Sequence, residues 1–286
     1  MKIISFKIIA AACSAFLCLS ACAQQNLQSQ DTQAGWLELP RIETCDQNNV
    51  HTVVMTVDGE TQRNYTFLWN ENHMTADWVA YPLCRGNMGS GKRSNAFGTC
   101  PLLPENRQPL LIKGYRRGNG GWYSRGHQIP SGDRLSYKAN VQTFYGVNMT
   151  PQNEELNGGV WGSLENKVRS LARKCDTIYV VTGCLYEAYD GEYVLDNADR
   201  KVAVPTGYFK ALLMRKGDDF HACAYCFENR PYADGKLDRN MATSVAELEE
   251  RLGMKLFPNL EILIGKSRYN AVVNENPADQ RCWGYY

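Results

Sequence analysis

The sequence predicts a mixed α+β domain, with a mainly antiparallel central sheet flanked by helices. Strand-like runs recur along its length, some alternating apolar and polar residues and some continuously apolar. Two other segments carry the three-to-four-residue apolar repeat of a helix. The two kinds of segment do not alternate regularly, which argues against a parallel sheet of βαβ units.

The first 21 residues are not part of that domain. A basic start at Lys2 and Lys7, an apolar run from 8 to 19 and the close Leu19-Ser20-Ala21-Cys22 describe a secretory signal peptide. The run is too short to span a membrane. Its last four residues resemble the lipobox of bacterial lipoproteins. That resemblance implies cleavage before Cys22, lipidation of its thiol and a membrane anchor in the bacterial cell envelope, periplasmic or surface-exposed. Ordinary cleavage near Ala21 or Ala23 is the alternative. Residues 22–44, rich in Gln, read as a tether. Residues 45–286 show no second linker or repeat and are expected to form a single domain.

Within it, residues 52–57, 65–69 and 77–81 read as strands. Residues 177–183 have the character of a buried strand, and 202–204, 208–214 and 221–227 complete the set. The first helix is expected to start near Asn157 and to turn Trp161, Leu164, Val168 and Leu171 towards the sheet. The second begins at Ser244, which with Glu247 makes a capping box before Leu248 and Leu252.

Eleven cysteines suit an exported chain better than a cytosolic one. Cys13 and Cys18 leave with the signal and Cys22 is the lipid site. The remainder, Cys45, Cys84, Cys100, Cys175, Cys184, Cys223, Cys226 and Cys282, form an even set that suggests disulfides. Cys84–Cys100, bracketing the Gly-rich residues 86–98, is the expected pair; the other pairings are open. Cys223 and Cys226 lie three apart on a strand and so face opposite ways. No second CxxC exists to complete a zinc site.

Net charge says little, since Lys and Arg number 31 against 30 Asp and Glu. Local clustering says more: Lys92, Arg93, Lys113, Arg116, Arg117, Arg125 and Arg134 crowd the region around His127. His127 lies in the polar run Ser124-Arg125-Gly126-His127-Gln128-Ile129-Pro130-Ser131-Gly132-Asp133, which reads as a strand rim and turn. An imidazole there can take a proton near neutral pH. On the downstream helix Asn157 and Glu165 stand about 80° apart around the axis and roughly 12 Å along it. Asn157 is then a direct ligand for a hard cation, with Glu165 reaching it through water. Mg²⁺ suits so few protein ligands, with Mn²⁺ as an alternative. A base, a cation-lined surface and a metal are the parts needed to hydrolyse a phosphodiester.

The stretch from Tyr123 to Asp133 resembles the (D)RGH signature of the DNA/RNA non-specific endonucleases, the ββα-metal nuclease family that includes endonuclease G. Asn148-Met149-Thr150-Pro151-Gln152 is similar to the family's N-[IM]-[ST]-P-Q segment, and Leu156-Asn157 through Glu165 to its metal helix. Asp77-Trp78-Val79-Ala80-Tyr81, Val181-Thr182-Gly183, Val204-Pro205-Thr206 and residues 246–258 resemble further family segments. The resemblance spans roughly residues 65–260.

It implies a ββα-metal motif and a metal-dependent, sugar-non-specific endonuclease acting on DNA and/or RNA and leaving 5′-phosphate ends. His127 is then the general base, Asn157 the metal ligand and Glu165 the residue orienting metal-bound water. Arg125 contacts the scissile phosphate, and Asn148 supports the site by hydrogen bonding. No protein partner is implied. Two positions depart from the pattern: Ser124 replaces the acid before RGH, and Pro82 stands where several relatives carry an arginine, for which Arg85 is a candidate substitute. The missing arginine motivates a second reading, a catalytically weakened lipoprotein that binds nucleic acid. Near-neutral charge motivates a third, a phosphodiesterase for small substrates.

Overall fold

The computed structural model describes residues 35–41, 47–116 and 122–284. The expected signal, Cys22, most of the expected tether, Cys45 and Arg117 lie outside the described residues. The chain divides into two units, Met1–Leu37 and Glu38–Tyr286. Of the first, residues 35–37 are described, as turn and irregular backbone. The rest concerns the second.

In chain order its strands are β1 (Val50–Val57), β2 (Glu60–Asn70), β3 (Thr75–Leu83), β4 (Tyr115–Arg116), β5 (Trp122–His127) and β6 (Met149–Gln152). They continue with β7 (Thr177–Leu185), β8 (Tyr193–Leu195), β9 (Lys201–Ala203), β10 (Gly207–Lys216), β11 (Asp219–Glu228) and β12 (Ala242–Thr243). The α-helices are α1 (Arg85–Met88), α2 (Tyr137–Gln142), α3 (Glu154–Gly158), α4 (Val160–Ala172), α5 (Val245–Leu252), α6 (Pro258–Ile264) and α7 (Lys266–Val273).

The fold is α+β, as the sequence predicts. Seven strands form one sheet in the order β1-β2-β3-β7-β10-β11-β12, and five form another in the order β6-β5-β4-β8-β9. Every ladder is antiparallel. At the edge, β1 buries Val53 and Met55 and exposes Val54 and Thr56, the alternation of a strand covered on one face. In the centre, β10 is buried continuously from Gly207 to Met214.

Helix α4 lies over this sheet because Val160, Trp161, Leu164 and Val168 share one face. The Trp161 ring stands 5.6 Å from Tyr208 on β10 and 6.2 Å from Phe227 on β11. Leu171, expected on that stripe, is only partly buried, and Ala172 is buried instead. Helix α5 begins as expected: the Ser244 hydroxyl accepts from the Glu247 N–H at 3.2 Å, and the Glu247 carboxylate accepts from the Ser244 N–H at 3.0 Å.

Two expectations fail. The single helix expected from Asn157 is two helices, α3 and α4, broken at Gly159. Asn153, not Asn157, caps the first, accepting from the N–H groups of Glu155 and Leu156. A Cβ at Gly159 would fall 2.4 Å from the Glu155 carbonyl, so the junction closes only around a glycine. The 80° and 12 Å relation between Asn157 and Glu165 therefore does not hold.

The Cys84–Cys100 bond is not formed either, and no described cysteine is bonded to another. Cys84 stands at the N-cap of α1, where its N–H donates to Asn87 Oδ1 at 3.0 Å. Cys100 is buried beside Tyr65 and Tyr145.

The smaller sheet positions the site. His127 pairs with Met149, Gly126 with Thr150 and Arg125 with Pro151. Pro151 is tolerated because β6 is an edge strand. A Cβ at Gly126 would meet the Gln152 side chain at 2.5 Å, so only glycine lets β5 and β6 approach here. β5, β6 and the α3–α4 pair make the strand–strand–helix unit implied by the resemblance.

Candidate active site

His127 ends β5 and retains 9% exposure. Its ring stands edge-on to Phe144, with centroids 5.0 Å apart. Phe144 belongs to the apolar cluster of Leu111, Tyr115, Met149, Val194, Val202 and Val204 under the smaller sheet. Burial, and then the positive charge of Arg93, push the imidazole down to about 3, against a hydrogen bond to the Arg125 backbone. Its Nε2 is buried without a hydrogen-bond partner among the described residues.

The turn after His127 is fixed by Asn148, which is fully buried. Its Oδ1 accepts from Ile129 N at 2.9 Å, while Nδ2 donates to the carbonyls of Ile129 and Thr143 at 3.0 and 2.8 Å. The Gln128 N–H donates to the Asn148 carbonyl at 3.0 Å. Asn148 thus holds the backbone on which the imidazole sits.

Arg125 is anchored rather than solvated. Its Nη1 donates to the carbonyls of Leu111 and Ile112 at 2.9 and 2.8 Å, and its Cζ lies 3.5 Å from the Phe97 ring centroid. That leaves Nε and Nη2 as donors. Arg125 lines a cavity of ≈ 280 Å³ with Arg93, Phe97, Lys113, Gly114, Trp122, Tyr123, Ser124 and Asn157. Three cations and no carboxylate face this space.

Glu165 lies on α4, its side chain 16% exposed. Burial pushes its carboxyl up to about 7, although Lys210, Arg169 and Arg93 favour the charged form. It belongs to a buried polar network. Arg169 stands 4.0 Å from Glu165 and donates to Asp133 at 2.9 Å, and Asp133 accepts from the Tyr81 hydroxyl at 3.0 Å. Lys210, in the centre of β10, is fully buried with its Nζ over the Trp161 ring at 4.7 Å and no hydrogen-bond acceptor among the described residues. Burial pushes the ammonium down to about 8, with Glu165 and Asp133 holding it up.

The structure therefore sets Asn157 and Arg125 on one cavity and Glu165 on a separate helix. Arg93 links the two: it lines the cavity and acts electrostatically on both His127 and Glu165. Its Nη1 reaches Ser131 Oγ at 3.4 Å, and its Cζ lies 4.8 Å from the Phe144 centroid. Arg85, the candidate substitute for the arginine missing at Pro82, is an exposed residue opening α1.

Sequence reasoning counted Arg93 as one of a cluster and passed over Lys210 inside an apolar strand. A lone lysine in the middle of such a run was the available signal. It also counted Arg134 among the surface cations, but Arg134 is fully buried and bonded to Asn64, Asn87 and Pro82.

Among the described residues no group of three or more His, Cys, Asp and Glu could hold a metal. The oxygen donors present, Asn157 at the cavity and Glu165 on α4, are of the kind a hard cation that keeps most of its waters takes.

Comparison with known proteins places the chain among hydrolases of the nuclease class. A model of the DNA/RNA non-specific endonuclease family matches residues 46–262, and the chain belongs to that family. It is 32% identical to the mitochondrial nuclease EXOG of Danio rerio over 77% of this chain and 68% of the relative. It is 30% identical to a nuclease of Serratia marcescens over 68% of this chain and 73% of the relative. Bovine mitochondrial endonuclease G is 29% identical over 70% and 69%. A solved structure of a complex between EndoG and EndoGI has the same fold, with a TM-score of 0.58 and 20% identity over 81% of this chain and 92% of that one.

Proposed function

We propose that this chain is a metal-dependent, sugar-non-specific endonuclease acting on DNA and/or RNA, with His127 as general base and 5′-phosphate products. The observation that carries the reading is a buried imidazole with an unpartnered Nε2, two residues along β5 from Arg125, which lines a cavity with Arg93, Lys113 and Asn157.

A phosphodiester entering that cavity meets cations and no carboxylate, so its charge is matched before reaction. Nε2 of His127 accepts the proton of the attacking water. Phe144 and the Asn148-clamped turn prevent the ring from swinging away. The remaining N–H groups of Arg125, together with Arg93, stabilise the charge that builds on the phosphoryl oxygens. Asn157, and Glu165 through water, would hold the metal, with Mg²⁺ preferred and Mn²⁺ as the alternative. When bound, it supplies positive charge for the leaving 3′ oxygen. No covalent intermediate on the protein is required.

The weakened-binder reading rests on the arginine missing at Pro82, and the cavity's own cations, Arg93, Lys113 and Arg125, favour the enzyme. From the sequence alone, we also place the domain at the bacterial envelope through lipidation of Cys22.

The test is nicking of supercoiled plasmid and cleavage of RNA with added Mg²⁺, beside a small model diester. Expected is chelator-sensitive cleavage of one or both polymers that is lost in H127A. Hydrolysis of the small diester alone would turn the reading to a small-substrate phosphodiesterase, and binding without cleavage to the capture protein.

A further inference from the structure

The cavity has one wall that the proposed chemistry leaves unused. Trp122, at the start of β5, is 54% exposed, whereas Trp69, Trp78, Trp161 and Trp283 are all buried. Its indole runs beside a patch of bare backbone at Gly114. A Cβ there would lie 3.7 Å from Cε3 of Trp122 and 3.8 Å from Cδ of Arg125. The ring and the Arg125 stem thus flank the same opening. Tyr123, the next residue, is fixed by donating to Glu192 at 3.0 Å, and exposed Lys113 borders the same space.

An aromatic face set among cations is the surface that single-stranded nucleic acid uses. Its phosphates need positive charge, and any base can lay its π-face on the ring. Inside a duplex both faces of a base are already covered, so stacking on the indole requires the base to leave its neighbours first.

We propose that Trp122 is a stacking platform for an unpaired nucleobase adjoining the phosphate held in the cavity, so that single strands and unpaired ends are taken in preference to duplex interior. The inference rests on reading this cavity as the phosphodiester site.

Two measurements test it. In chelator, the fluorescence difference between wild type and W122F should be quenched by a short oligothymidylate and left unquenched by an abasic deoxyribose-phosphate chain of equal length. With Mg²⁺, W122A should raise KM for the single strand by roughly 5- to 150-fold, the factor that stacking one base on an aromatic side chain supplies. W122F should raise it less, and KM for duplex should rise less than for single strand.

Equal quenching by the abasic chain would overturn the proposal. So would a W122A defect of the same size on single strand, duplex and a base-free small diester. Should W122A not fold, the W122F difference spectrum still decides. A wild type that binds base-dependently but cleaves no diester would sink the nuclease reading alone.

Discussion

Among single side chains, the imidazole of His127 is held towards its neutral form by burial and by the positive charge of Arg93. H127A should lower turnover by roughly 10²–10⁴-fold with folding intact, since a positioned base contributes on that scale. Circular dichroism beside the kinetics separates the two effects, and unchanged activity would remove His127 from the mechanism. The same burial sets an acid dependence of stability. Unfolded, the group titrates at 6.5 and folded at about 3, so between those values the unfolded chain binds more protons and stability falls as pH falls. Glu165 works oppositely: raised from 4.5 to about 7, it keeps its proton in the folded state, and stability falls as pH rises through that window. Metal-free H127Q should therefore gain stability relative to wild type below pH 6.5. Urea midpoints across pH measure this, and parallel curves would show that the folded imidazole titrates like an exposed one. Asn157→Ala should raise the Mg²⁺ requirement sharply in a way that excess metal hardly repairs. Glu165→Ala, acting through water, should lose roughly 10–100-fold and be partly restored by metal. Activity against Mg²⁺ concentration for both variants decides, and coincident curves would contradict the division of roles.

For the elements, the legible features were those written in neighbouring residues. The Ser244 capping box, the α4 stripe and the strands needed no knowledge of distant chain. Ser244→Ala should cost about 1 kcal/mol of stability and leave turnover intact, as read from the urea midpoint beside a plasmid assay. The α3–α4 break was missed because apolar periodicity continues across it, while the pair Gly158-Gly159 weighed against a continuous helix. Gly159→Ala should push on the Glu155 carbonyl and cost roughly 1–3 kcal/mol. It should also raise the Mg²⁺ requirement by shifting Asn157. An increase in stability would mean that the two helices can merge without strain. Arg93 was not legible because its position depends on Ser131 and Phe144, far along the chain. Lys210 was hidden by β10, whose apolar flanks made a buried ammonium look like one turn of the alternation.

In the whole molecule, the class of fold was readable because antiparallel strands carry their pattern locally, while the pairing order was not. Disulfide pairing failed for the same reason, since which cysteines approach one another is set by the pairing of distant strands. The N-terminal signal belongs to this scale too. Cys22→Ser should abolish labelling of the protein by a radioactive fatty acid, leaving an uncleaved precursor or a released chain. Label retained in that variant would show that Leu19 to Cys22 only imitates a lipobox.

The pairing of β3 with β7 has a further consequence, for the order of events during folding. Trp78 lies opposite Gly183, and Leu83 opposite Ile178. Everything between those strands, including Arg93, His127, Asn148, Asn157 and Glu165, is one long excursion of the chain that this ladder closes. Joining its ends is entropically opposed until the distant contacts form, which makes non-local antiparallel pairing slow. In a refolding experiment, recovery of cleavage should never run ahead of burial of the sheet tryptophans. On the export route proposed from the sequence, a chain delivered from its N-terminus would have all of these residues outside the membrane before β7 arrives to lock them together. A nuclease built this way would acquire its activity late in folding.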